Sequence, residues 1–181
     1  MRLVFILLVP ITMIIITFPY YIGLQVVLAL VQNPAAMNNG QPEALSLVEQ
    51  ADLYAQHGMI EEAMAAIAEA QNIDTDLNIS ASSWNTLCWY GSLWGYASEV
   101  MDACENAVEL APDSAGIRDS RGLARALAGD YTGAIEDFEG YVEWLKNSGG
   151  SDREIRSREQ WIVELEAGRN PFDEATLDEL R

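Results

Sequence analysis

Residues 98–141 read SEVMDACENAVELAPDSAGIRDSRGLARALAGDYTGAIEDFEGY, and this stretch decides the fold. Two helices are expected to start after Ser98 and Ser114, and a third near Tyr131. Pro112 and Gly129 punctuate them, the first because it lacks a backbone donor and the second because it tolerates a positive φ. Positions on the facing sides then recur at a fixed distance. Val100, Cys104 and Ala107 are matched one period later by Ala134, Phe138 and Tyr141, and Gly122 stands the same distance after Cys88. A period of about 34 residues belongs to a helical hairpin that buries its apolar side against the next copy of itself. The chain is therefore expected to be all-α and built by stacking hairpins.

Working outward, residues 82–96, SSWNTLCWYGSLWGY, open the hairpin that precedes Pro112. Trp84, Leu87 and Cys88 stand at its bulky, bulky and small positions. Gly91 occupies a place where an aromatic is usual, and Trp94 and Tyr96 are expected to refill the space. An earlier hairpin is expected from Pro42, which suits a first helical turn, with Ala44, Leu45, Val48, Ala51 and Leu53 as its apolar stripe ending at Gly58. Its return helix, about 60–72, turns Ala63, Ile67 and Ala70 inward. The connection IDTDLNISAS that follows is longer than a plain repeat turn. The third hairpin covers about 114–146, and it places Arg118, Arg121 and Arg125 where large apolar residues are usual. After KNSGGSD, Ser151 and Glu154 are spaced as a capping box for a helix reaching about Ala167. Ile155, Trp161, Ile162 and Leu165 give that helix one apolar side, as a terminal cap requires. NPFDEATLDELR reads as a turn, with Phe172 as a plug, followed by a short helix.

These residues resemble the tetratricopeptide repeat family over roughly 44–141. The wording from SWNTLCWYGSLWGY to RDSRGLARALAGDY is also similar to repeat segments appended to large bacterial signalling and scaffold proteins. The resemblance implies a solenoid of about three antiparallel helix pairs, residues 42–146, with capping helices at 147–181. It implies a concave face that binds protein segments, presenting Asp52, Asn85, Trp89, Leu93, Asp119 and Leu123. The family's basic clamp for a terminal carboxylate needs lysines that are missing here. The partner it implies is therefore an apolar or basic protein segment and not an acidic tail.

The chain up to Val31 has another character. Residues 3–31 carry no charge, and about 20 apolar residues already span a bilayer core. A retained single-pass transmembrane helix is expected at 1–31, with a polar linker at 32–41. A signal peptide is the competing reading, although its apolar region is normally only about 7–15 residues. Pro10 and Pro19 are expected to kink the helix. The surplus beyond one crossing, Ile22 to Val31 with Gln25 inside it, is expected to contact other subunits of a membrane complex. Arg2 is the only basic side chain flanking the run, so the N-terminus is expected in the cytoplasm and the repeats on the outer side.

A net charge of −18 argues against binding nucleic acid or an anionic membrane surface, which need a basic patch. The imbalance is concentrated: no Lys or Arg lies between Arg2 and Arg118, while thirteen Asp and Glu do. Cys88 and Cys104 have no metal-ligand spacing. They are expected as buried reduced thiols inside one hairpin, or as a disulfide if the domain faces an oxidising compartment. His57 beside Gly58 is expected to cap a helix end. Asp74, Asp76 and Asn78 imitate the start of a calcium loop, but Ile79 replaces the required Gly and Asn85 the bidentate Glu. Asn78-Ile79-Ser80 is a glycosylation sequon read as a surface turn. Arg118, Arg121 and Arg125 either grip an acidic partner or pair with Asp102, Glu105 or Glu109. With no nucleophile and base pair, metal set or phosphate loop in view, no enzyme activity, small-molecule substrate or cofactor is expected. The function expected is a non-catalytic, membrane-anchored interaction module, an accessory or scaffold subunit. The alternative is a secreted or tethered adaptor that meets soluble partners transiently.

Overall fold

The computed structural model describes residues 40–181. Among them the secondary structure is all helical: α1 (Gln41–Gln56), α2 (Ile60–Ile73), α3 (Ala81–Leu93), α4 (Met101–Leu110), α5 (Ala115–Ala128), α6 (Tyr131–Ser148), α7 (Asp152–Glu166) and α8 (Glu174–Leu180). The all-α expectation holds for this region. The apolar run and the contact residues Ile22, Gln25 and Val31 lie outside the described residues. Among the described residues, no helix is long and apolar enough to cross a membrane.

The helices of each hairpin pack on one another, α1 with α2, α3 with α4, and α5 with α6, and α7 packs in turn on α6. The first helices also pack on one another, α1 on α3 and α3 on α5. Local signals explain where the elements stop. Gly58 and Gly129 follow α1 and α5 with φ of 76° and 90°, a region in which a Cβ would collide with the backbone. Ser80, Asp130, Ser151 and Asp173 cap helix N-termini through their side-chain oxygens. One boundary and one cap differ from expectation. α4 begins at Met101 and not after Ser98, because Tyr96 to Val100 first form a turn in which the Val100 amide donates to Tyr96 O. Ser151 caps α7 by accepting from the Arg153 amide, while the Glu154 carboxylate meets the Tyr141 hydroxyl.

The small residues act as the repeat period requires, though not all by the expected means. A Cβ on Gly122 would stand 2.9 Å from the Phe138 ring, so α5 and α6 approach as closely as a glycine allows. The matching positions in the preceding hairpin are Cys88 and Cys104, and there the equivalent approach is bridged by a disulfide, with Cα atoms 4.9 Å apart. This corrects the expectation of reduced thiols: where the later hairpin fills the space with a ring, two cysteines facing each other at that separation meet the geometric condition for a bond. A second correction concerns Gly91. Its missing side chain makes room for Val100, whose Cγ1 would be 2.5 Å from an added Cβ. Trp94 and Tyr96 therefore do not refill that space, and Trp94 is among the exposed apolar residues.

Two buried clusters result. One joins α1, α2, α3 and α4 through Val48, Ile60, Ile67, Leu87 and Cys104. The other joins α5, α6 and α7 through Leu123, Phe138, Trp161 and Leu165, and includes Leu93 from α3. Phe172 and Leu177, from beyond α7, complete the second cluster.

Candidate interaction site

The face expected to bind a partner runs along α1, α3 and α5, and all six residues assigned to it lie on those helices. Their accessibility divides them. Asp52, Asn85 and Trp89 are half-buried, whereas Leu93 and Leu123 are fully buried and Asp119 nearly so. The expectation that all six are presented to a partner is therefore corrected for three of them. The reason is tertiary: α7 and the segment after it close over that half of the face.

Asp119 is covered by Arg158 of α7. The guanidinium donates from Nε to Oδ1 at 3.1 Å and from Nη2 to Oδ2 at 2.7 Å, a two-pronged pairing that joins α5 to α7. Arg158 is itself enclosed by aromatic rings, 4.5 Å from the centre of Trp161 and 5.3 Å from that of Tyr141. Burial pushes the Asp119 carboxyl above its ordinary value against the opposing pull of Arg158. Burial acts to lower Arg158, but its hydrogen bonds to Asp119 and the charge of that carboxylate together outweigh this and raise it.

Leu93 and Leu123 share their cluster with Phe172 and Leu177, and Trp89, Leu127 and Leu180 pack against it. Phe172 sits between α6 and α7, its ring 6.2 Å from Phe138 and 4.8 Å from Trp161. α8 then reaches α3. There Arg181 donates to the Leu93 carbonyl, lies 4.5 Å above the Trp94 ring, and pairs with Glu174 and Asp178 of its own helix. Phe172 is thus the plug the sequence foretold, but the contact of Arg181 with Leu93 has no sequence signal, because 88 residues separate them.

The half of the face left accessible is small and polar at one end. Asp52 accepts from the Ser83 hydroxyl at 3.1 Å, which ties α1 to α3. Burial raises the Asp52 carboxyl, with this hydrogen bond opposing the shift. Asn85 Oδ1 is buried without a hydrogen-bond partner, while Trp89 flanks the second cluster. Beside α8 lies an open cleft of about 670 Å³ whose walls include Arg153, Arg156 and Gln160 of α7 and Thr176 and Glu179 of α8.

The arginine row of α5 serves the fold. Arg121 and Arg125 both reach Glu105 on α4, as expected, and both also reach Asp137 on α6, which the sequence reading missed. Asp137 is buried, with its two oxygens occupied by Arg121 at 2.7 and 2.9 Å and by Arg125 at 2.9 Å. The available signal was its position next to Phe138, on the side of α6 that faces α5. Hydrogen bonding to Asp137 raises Arg121 further above its ordinary value. Arg118 takes another direction and lies alongside Gly140.

The remaining candidates are local devices. His57 is the residue that ends α1, with Nδ1 2.8 Å from Leu53 O. Asp74 accepts from the Asp76 amide in a tight turn, and Ile79 of the sequon is buried. Among the described residues, no three His, Cys, Asp or Glu side chains are grouped so as to hold a metal ion. Comparison of the chain with protein-family models, curated proteins and solved structures finds no match.

Proposed function

We propose that the chain is a non-catalytic protein-binding module of tetratricopeptide type, held to a membrane by its apolar N-terminal run and working as an accessory or scaffold subunit. The observation that carries this reading is the stacking of α1, α3 and α5 into one face on which Asp52, Asn85 and Trp89 remain partly accessible. Among the described residues Asn85 Oδ1 lacks a partner, a costly state for a buried acceptor that an incoming donor would relieve. The disulfide supports placing the repeats on the outer side of the membrane, since such bonds persist in oxidising compartments.

The test is native electrophoresis after mild-detergent extraction, comparing the unaltered chain with Trp89→Ala. Co-migration with a larger membrane complex is expected, weakened by the substitution while the melting temperature changes little. A monomer under every gentle detergent would overturn the subunit reading. Loss of roughly 3–5 kcal/mol in Trp89→Ala would instead mark the residue as core.

A further inference from the structure

We propose that residues 170–181 are an internal ligand of the partner-binding face, and that the partner carries a segment of the same chemistry which takes their place. The proposal rests on the reading of this protein as a binding module. Its chemistry is read from the occupant already seated there. Phe172 packs on the contacting rings of Trp161 and Phe138, Leu177 joins the cluster of Leu93 and Leu123, and Leu180 packs at its edge. Arg181 closes the far end on the Leu93 carbonyl and the Trp94 ring. The pattern is an aromatic anchor at Phe172, leucines at Leu177 and Leu180, and an arginine directly after the second leucine.

Three features distinguish this occupant from a permanent part of the core. α8 is a single short helix of 7 residues, too brief to be stable by itself, so its order depends on the face beneath it. Only Phe172 and Leu177 of the segment are buried, and its acidic residues face water. The seat also extends beyond its occupant, because an open cleft beside α8 is lined by Arg153 and Arg156 of α7 as well as by Glu179 of α8. In a chain with net charge −18, a local pair of arginines beside an acidic helix is a complementary match. The partner segment is accordingly amphipathic, helical and acidic on its outer side, which departs from the apolar or basic segment that the family resemblance implies. A tethered occupant competes at an effective concentration on the order of millimolar. An external segment must therefore bind through more of the cleft, or arrive on a partner already held nearby.

The probe is a fluorescein-labelled peptide of sequence NPFDEATLDELR, titrated against the full chain and against Phe172→Ala/Leu177→Ala, which weakens the internal competitor. The substituted chain is expected to bind the peptide at least tenfold more tightly. A peptide with its acids replaced by amides should bind less well and lose most of its dependence on salt. Hydrogen exchange on the unaltered chain supplies a reading independent of the variant's folding: α8 amides are expected to exchange at least tenfold faster than those around Leu123. Exchange of α8 only with global unfolding overturns the proposal, as does a folded variant that ignores the peptide. Peptide binding that comes with dimerisation of the substituted chain would make a second copy the occupant and overturn the separate partner. If the peptide fails while the chain still migrates in a larger complex, the binding-module reading stands and only the internal ligand falls.

Discussion

Arg181 donates from both Nε and Nη2 to the backbone carbonyl of Leu93, at 3.2 and 2.8 Å. The same guanidinium covers Trp94, so one side chain fixes α8 against the end of α3. Hydrogen bonds that involve a charged group contribute about 1.5–3 kcal/mol, more than neutral ones. Arg181→Ala should therefore loosen α8 by at least tenfold in amide exchange while the first hairpin exchanges as before. Equal exchange in both proteins would show that Phe172 and Leu177 hold the segment without it.

The disulfide closes a loop between residues 16 apart. A loop of about that length removes roughly 3 kcal/mol of chain entropy from the unfolded state. Reduction, or replacement of both cysteines by alanine, should lower the denaturation midpoint accordingly while leaving helix content near its native value. The double alanine variant should not respond to reductant.

The buried pair of Asp119 and Arg158 is asymmetric in its consequences. Asp119→Asn leaves the enclosed guanidinium without its counter-charge, for an expected loss of about 3–5 kcal/mol. Replacing both partners, as in Asp119→Leu/Arg158→Met, should recover most of this, because the cost of burying two charges disappears with them. Urea unfolding of Asp119→Leu, of Arg158→Met and of the double variant completes the cycle.

Acid should act on α8 before the core. Asp173 accepts from the amide and hydroxyl of Thr176, and these bonds hold its carboxyl below the ordinary value of 3.8. Its contribution is then present above that value and is lost as pH falls through the lower folded pKa. Amide exchange in α8, corrected for its intrinsic pH dependence, should accelerate several-fold as pH falls from about 5 to about 3, and the acceleration should vanish in Asp173→Asn. An unchanged response in that variant would remove the cap from the account.

Much of the architecture was legible in the sequence because helical hairpins depend on contacts between near neighbours. Pro112, Gly129, Ser114 and the recurrence from Cys88 to Gly122 act within a single repeat, and a fixed spacing reveals them without reference to the rest of the chain. Even the role of His57 followed from its neighbour Gly58, since a helix end is a local event. The fate of the expected binding face was not local. Leu93, Asp119 and Leu123 stand on the assigned helices, yet whether each meets water or protein was decided by Phe172, Leu177, Arg158 and Arg181, which return from outside the repeats. Periodicity specifies which side of a helix a residue occupies. Burial of that side depends on what folds against it, and a return over dozens of residues leaves no spacing in the sequence from which to read it.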